Sequence, residues 1–465
     1  MLTYQDFEKA VDAGETLGFI AKAISQHTES QAYLTALTAD EYDHQRDVTV
    51  LNYTKFIAEH SGSDLVNATA ANNKISSNFF HRLNTQRATY SLGNGIDFAQ
   101  EGLKDKLGPW FDKDFFRLAY KSLIHGECFG FWNVDRLYVF PITEFVPIYD
   151  ELTGALRAGI RFWRMDTTKP MNAVLYEENG YTRYISDDKS AGYEFKESEP
   201  KRSYVVNGIR TQHDGFEPTG NENYSTLPIK RMKGSDLHQS TLVGMQERID
   251  SYDLIQSGFA NDLQDCAQIY WIIENCGGMS DSDLQNFLNK LNRDHIATAD
   301  TKGMGVESNS LKPYVQEVPF ESRVAYLKHI RSAIYEDFGA LDVTNMAAVN
   351  QTATAIEAAY QPMDENADDF EYQCIEFVQQ IMGLLGVSEE EATPIFKRNR
   401  ISNQYEQTQM IMLAANYLDD EAVLDKLPWI SVDEVEDILK RRSIEISERE
   451  ENDASSGTDT EETEV

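Results

Sequence analysis

Several things are scarce in this sequence, and each shortage removes a class of protein. The four cysteines, Cys128, Cys266, Cys276 and Cys374, stand far apart with no C-x-x-C pair. That spacing fits buried thiols in a reducing compartment and argues against metal ligation. No apolar run approaches the ~20 residues that a membrane helix needs. The opening MLTYQDFEKAVDAGETLGFIAK has acids interrupting every apolar stretch, so no secretory signal is expected. There is no G-x-x-x-x-G-K-[ST] loop, no H-E-x-x-H, no G-x-S-x-G and no G-x-G-x-x-G after a strand, so ATP-driven motors, zinc proteases, α/β-hydrolases and dinucleotide enzymes all lack their motif. Gly93-Asn-Gly95 and Gly303-Met-Gly305 are isolated and read as turns. Of the nine histidines, His81, His125, His238, His295 and His329 among them, none is paired at metal spacing. No catalytic residue, cofactor or metal is expected.

Positive charge is the other scarcity. Against 77 Asp and Glu there are 42 Lys and Arg, a net charge of −35. Such a surface repels a phosphate backbone and disfavours tight static binding of nucleic acid. The end of the chain, SEREENDASSGTDTEETEV, holds eight acids and one base and so accounts for −7 of that total. It reads as a solvated acidic tail over 447–465. The remaining −28 belongs to the body.

What is present is a folded composition, 41% apolar and 11% aromatic, over 465 residues. That length exceeds one core and implies two to four lobes as a rough prior. From Thr241 to Cys266 the apolar positions Leu242, Met245, Ile249, Tyr252, Ile255, Phe259, Leu263 and Cys266 recur every three or four residues, the period of a helix roughly 40 Å long. A second stripe, Val324, Leu327, Ile330, Ile334, Phe338 and Leu341, follows a short mixed insert. Two long helices running out to a small domain and back make a stalk. Before them, residues 1–85 read as mainly helical, with TADEYDHQRDVTVLNY polar and weakly structured. The period then switches to two over about 111–205: FGFWNVD, RLYVFPITEFVPIYD, RAGIRFWRMD, NAVLYEEN and YTRYISDD are strands, and Asp150-Glu-Leu-Thr-Gly154 is a hairpin loop. Beyond the stalk a helix is expected from Ala353 to Leu385, stopped at Gly386, and a helical pattern continues over 388–442. No internal repeat is visible. The fold class is α+β, mainly helical.

The stretch L227-P-I-K followed by SDLHQSTLVGMQERIDSYDLIQSGFANDLQD resembles the signature of tailed-bacteriophage portal proteins of the siphophage type, in which a Pro-Ile strand leads into a long stem helix carrying I-D-x-Y and N-D. Here those residues are Ile249, Asp250, Tyr252, Asn261 and Asp262. CFGFWNVDRLYVFPITEFVPIYDELTGALRAGIRFW resembles the family's β-rich wing, TATAIEAAYQPMDENADDFEYQCIEFVQQIMGLLG its long wing helix, and FKRNRISNQYEQTQMIMLAANYLDDEAVLDKLPWISVDEVEDILKRR its crown. The blocks cover most of the chain in the family's order. The first ~60 residues carry no such likeness, and the stretch DVTNMAAVNQ lacks the Ser-Gly step of many relatives.

The resemblance implies a portal fold: wing 1–236, stem helices 237–267 and 321–341, a small α/β clip 268–320, a channel loop 342–352, a long wing helix 353–387, a helical crown 388–446 and the tail. It implies a homo-oligomeric ring, dodecameric in the virion, at one capsid vertex. Double-stranded DNA would pass through it without sequence specificity. The implied partners are the large subunit of the packaging motor (terminase), head–tail adaptors, and the major capsid and scaffold proteins. No membrane is involved, and assembly would take place in the host cytoplasm. Ile249, Asp250, Tyr252, Phe259, Asn261 and Asp262 would then pack the stem. Lys328 and Arg331, three apart and so on one face, with Arg323 near, would either line the DNA channel or pair with carboxylates of a neighbouring subunit. Asn345, Met346 and Asn350 would sit on the channel loop, unless that stretch is a plain linker. Tyr270, Trp271 and Phe287 would form the clip's small core or an interface with another ring. Lys230, Arg231 and Lys233 are a solvated charge run or a docking patch for DNA or motor. Two readings of other classes stay open: a metal-dependent nuclease using acidic pairs such as Asp281 with Asp283, Asp368 with Asp369 or Asp419 with Asp420, and an acidic scaffold or adaptor.

Overall fold

A computed structural model describes residues 2–54, 56–58, 64–66, 71–100, 102–186, 194–210, 216–265, 270–273, 282, 311–314, 320–344, 353–400, 404–417, 419, 422–424, 427, 435 and 438–444. It is mixed helix and sheet. Two compact units divide the chain, one of Met1–Ala340 with Asn366–Lys397, the other of Leu341–Glu365 with Arg398–Val465.

The first unit opens with helices α1 (Tyr4–Asp12), α2 (Thr16–Thr28), α3 (Gln31–Asp43) and α4 (Val48–Asn52). Thr3 and Asp6 close a capping box at the start of α1, and Ser30 caps α3 by accepting from the Tyr33 amide. Residues 38–43 and 48–52 are helix, joined by a short turn, where the polar pattern suggested little structure. The pattern misleads because its polar side chains point inward: Tyr42 and Asp47 are buried. A short ribbon, β1 (Phe56–Ala58) with β2 (Asp64–Val66), precedes α5 (Phe79–Leu92), β3 (Ile96–Phe98) and α6 (Phe111–His125).

The alternating segments form the strands read from sequence. β4 (Glu127–Asn133), β5 (Arg136–Pro141), β6 (Phe145–Tyr149), β7 (Leu156–Trp163), β8 (Met171–Glu177), β9 (Gly180–Ser186) and β10 (Lys196–Arg202) follow in order. The last five make an antiparallel meander, β10-β9-β8-β7-β6. Asp150 shapes the β6–β7 loop by accepting the Leu152 and Thr153 amides. A ribbon of β11 (Val205–Arg210) and β12 (Phe216–Glu222) leads to β13 (Ile229–Lys233), the Pro-Ile strand, which pairs with β4 in the sheet β13-β4-β5.

Four apolar clusters hold this unit. α1 and α2 cover one face of the meander through Phe7, Phe19, Ile20 and Ile24 against Ile148, Ile160 and Leu175. Phe129, Phe131, Phe140, Phe145 and Tyr176 fill the space between the two sheets. α6 lies on β4 and β5, and its Phe115 stacks 5.7 Å from Phe377 of the long helix Ala353–Leu384. Gly130 makes that approach possible, because a Cβ there would stand 2.5 Å from the Phe377 ring. The fourth cluster gathers α3 and α5 around two long helices, α7 (Gln246–Asp265) and α8 (Phe320–Phe338).

Between α7 and α8, β14 (Tyr270–Ile273) pairs antiparallel with β15 (Leu311–Tyr314). α9 (Ala353–Leu384) begins in the second unit and belongs to the first from Asn366 on. Gly386, at φ +76, ends it. β16 (Pro394–Phe396) then pairs with β3, a strand where the sequence pattern read helix. Three residues bounded by turns are too few to show a period of two. In the second unit, α10 (Gln404–Ala414) is described, and Asp364 holds Arg398 at 3.0 Å and Arg400 at 2.6 Å.

Candidate functional site: a helix pair with a polar seam

Helices α7 and α8 pack against each other, as two matching apolar stripes require. Ile249, Ile330, Ile334 and Phe338 are buried together with Leu242 and Met245. Arg248 pairs with Asp337 near one end, and Arg323 pairs with Asp262 near the other. The Arg323 guanidinium also lies 5.8 Å from the Phe259 ring, which packs on Phe320 at 5.5 Å. Tyr252 meets Phe79 edge-on at 4.9 Å.

The apolar stripe of α7 is core only over its first turns. Ile249 is 1% exposed, Tyr252, Ile255 and Phe259 are half-buried, and Leu263 is 54% exposed. Farther along, the buried face is polar instead: Asp253, Ser257 and Asn261 are 0, 6 and 2% exposed. With Asp250 and Gln264 they form a stripe spaced three, four, four and three, one residue per turn on one side of the helix. Residues 71–77 lie along it. The Asn73 amide donates to Asn261 Oδ1 at 2.6 Å, the Ile75 amide to Ser257 Oγ at 3.0 Å, and the Ser77 amide to Asp253 Oδ2 at 3.1 Å. Asn73 Nδ2 adds bonds to Asn261 and Gln264 at 3.0 and 2.9 Å.

The match is geometric. Alternate residues of an extended chain are about 6.6 Å apart, and one helical turn rises about 5.4 Å. Every second amide therefore finds one side chain per turn. Side chains of α7 thus satisfy three amides of this segment, one per helical turn. Asp250 continues the seam toward the N-terminal helices by accepting from the Tyr42 hydroxyl and, at 2.8 Å, from Thr49 Oγ1. Burial, and then this carboxylate, push the Tyr42 phenol well above its usual range.

Asp250 and Asn261 belong to the pattern quoted from the sequence, and the seam brings them together. Asp262 and Phe259 meet Arg323 on α8 instead. Asp253, Ser257, Asn73 and Ser77, with Tyr42 and Thr49, were not anticipated. The signal that could have found the first two is the helical period of polar residues, hidden beside the apolar stripe.

On α8, Lys328 is exposed and makes no ion pair among the described residues, while Arg331 is half-buried with its guanidinium 5.6 Å from the Tyr335 ring. The basic cluster before α7 is largely engaged: Arg231 lies 3.8 Å from Glu127 and over Tyr149, Lys233 pairs with Glu376 at 2.9 Å, and Lys230 donates to Thr226. Asp369 lies 3.9 Å from Arg87. Tyr270 and Trp271 lie on β14. Phe287, Asn345, Met346, Asn350, Asp281, Asp283 and the acidic tail fall outside the described residues. Among the described residues no cluster of three or more His, Cys, Asp and Glu side chains is disposed to hold a metal, and no helix is long and apolar enough to cross a membrane.

Comparison with known proteins finds relatives over most of this chain. The chain is 25% identical over 397 residues to the portal protein of Clostridium phage phiCD119, covering 80% of this chain and 84% of that one. It is 21% identical over 407 residues to the portal protein of Bacillus phage SPP1, covering 81% and 77%. The model of the family described as "Phage portal protein, SPP1 Gp6-like" matches residues 22–448, and with that span of 465 residues the chain belongs to this family of phage portal proteins.

Proposed function

We propose that the chain assembles into a ring, dodecameric in the virion, at one vertex of a phage capsid, where it conducts DNA during packaging and ejection and docks the packaging motor and the head–tail adaptors. The observation that carries this reading is the family match over nearly the whole chain. In this reading α7 and α8 are the stem, the insert between them is the clip, residues 1–236 with 353–387 are the wing, and 388–446 are the crown. The chain acts as a conduit and platform, with no chemistry of its own.

The charge suits a conduit. Each Lys or Arg contact to phosphate adds salt-sensitive affinity, so a tube for a sliding polyanion works best with few of them. An acidic body, with many of the basic side chains among the described residues tied to carboxylates, lets DNA pass without adhering. Lys328 on α8 is the exposed cation best placed to act as a local brake if this face lines the channel. Asn345, Met346 and Asn350 on 342–352 would touch DNA by shape and weak polar contact. The motor's large subunit, the adaptors, and the capsid and scaffold proteins are the proposed partners.

The test is complementation. Phage assembly with this gene deleted should yield heads empty of DNA, and supplying the intact chain should restore filled heads. Normal filling without the chain would refute the proposal.

A further inference from the structure

The polar seam contains one feature that neither the family nor the apolar packing calls for. Asp47, at the start of α4, and Asp253, in the middle of α7, are 1% and 0% exposed. Their side chains lie within hydrogen-bonding reach of each other. Asp253 Oδ2 takes the Ser77 amide, but Asp253 Oδ1 and Asp47 Oδ2 are buried without a donor among the described residues. Two ionised carboxylates cannot persist in that arrangement, because each would be desolvated beside a like charge.

The groups facing the pair relieve it only in part, through Ser77, whose amide and hydroxyl favour the charged form of Asp253 and whose amide favours that of Asp47. Asp250 on α7 adds a third negative charge, which Tyr42 of α3 and Thr49 of α4 already hydrogen-bond. From residues 71–78 come the Ser76 and Ser77 hydroxyls and Lys74, and the Lys74 ammonium is engaged by the Leu51 carbonyl. The ion pairs of α7 with α8, Arg248–Asp337 and Arg323–Asp262, engage their arginines at other turns of the helix.

We infer that Asp47 and Asp253 share one proton, and that this proton is a latch holding residues 71–77 and the start of α4 onto α7, released as pH rises. A single hydrogen between the two carboxyls supplies a donor where Asp253 Oδ1 and Asp47 Oδ2 have none and removes one of the two charges. Burial, and for Asp47 also the neighbouring carboxyl, push both groups up from the ordinary carboxylate range, and the proton belongs to the pair rather than to either residue. The folded state then binds a proton that the unfolded chain gives up near pH 4, so the latch's stabilisation is complete below that pH and declines as pH rises through the raised range.

The experiment is hydrogen exchange of the 71–78 backbone in the full-length chain, corrected for intrinsic exchange and run from pH 6 to 9.5 for wild type, Asp47→Asn and Asp253→Asn. An amide at either position supplies the missing hydrogen permanently. Wild-type protection should fall about tenfold or more across this range, and both variants should hold it level. Thermal scans should show the variants gaining stability relative to wild type as pH rises. Parallel behaviour of all three proteins would overturn the inference, as would variants that do not fold, since an amide replacing a proton-sharing carboxyl keeps the bond. Wild-type protection restored at pH 8 by millimolar Mg²⁺ or Ca²⁺ alone would assign the pair to a cation instead and would equally overturn it.

Discussion

The side-chain oxygen of Asn261 holds the backbone amide of Asn73, 188 residues away, at 2.6 Å. Asn261 is 2% exposed, so its replacement by Leu would leave that amide with neither protein nor water to accept it. The cost expected is about 1–3 kcal/mol. It should appear locally, as faster amide exchange over 71–78, before it appears in global unfolding. Exchange unchanged from wild type would mean that the seam does not hold this segment.

Ile249 and Phe259 sit on one apolar stripe, and the structure separates them. Ile249 is in the core, so Ile249→Ala should cost about 2–5 kcal/mol in chemical denaturation. Ile249→Asp should abolish folding or assembly, read by size exclusion with light scattering, because an unpaired buried charge costs several kcal/mol. Half-buried Phe259 should lose less on truncation to Ala, on the order of 1–2 kcal/mol, part of it from the lost ring under Arg323. Equal losses at the two positions would contradict the placement.

Asp40 of α3 is held by two basic side chains of α6. It lies 2.7 Å from Lys121 Nζ and 3.0 Å from His125 Nε2. Burial opposes its charge, but the His125 ring and the Lys121 ammonium outweigh burial and hold its carboxyl at about 2. A carboxyl depressed in the folded state stabilises above its unfolded value near 4, and that contribution is lost as pH falls toward 2. Asp40→Asn should therefore cost on the order of 2 kcal/mol at pH 7 and lose less stability than wild type between pH 5 and 2. An unchanged acid limb in thermal scans would show that Asp40 is not the group responsible.

Lys328 and Arg331 allow a sharper comparison. As a channel belt, replacing both by Ala should leave rings intact and change the length or retention of packaged DNA. The change should shrink as salt rises, since screening at ~0.15 M limits the belt's reach to about 8 Å. As partners of a neighbouring subunit's carboxylates, the same double variant should lose ring stability while surviving particles package normally. A variant normal in both respects would exclude both roles.

Much of this fold is legible in the sequence because its signals are long. The period-two runs of β4 to β9 and the three-four spacing of α7 and α8 each span enough residues to declare themselves, and Gly386 marks the end of α9. What escapes is polar structure. Tyr42, Asp47 and Asp253 look like surface residues because composition cannot show that they face one another inside. Ser77 and Ile75, and in part Asn73, act through their backbone amides, which carry no sequence signal. β16 is too short for a period. Asp250 and Asn261 stand out through resemblance alone; the Tyr42 and Thr49 hydroxyls explain the acid, and the Asn73 amide explains the amide.

Electron microscopy of the purified chain should show closed rings around a central hole, with subunits repeating about one axis. Monodisperse particles without a hole, at concentrations where oligomers should persist, would contradict the proposed ring.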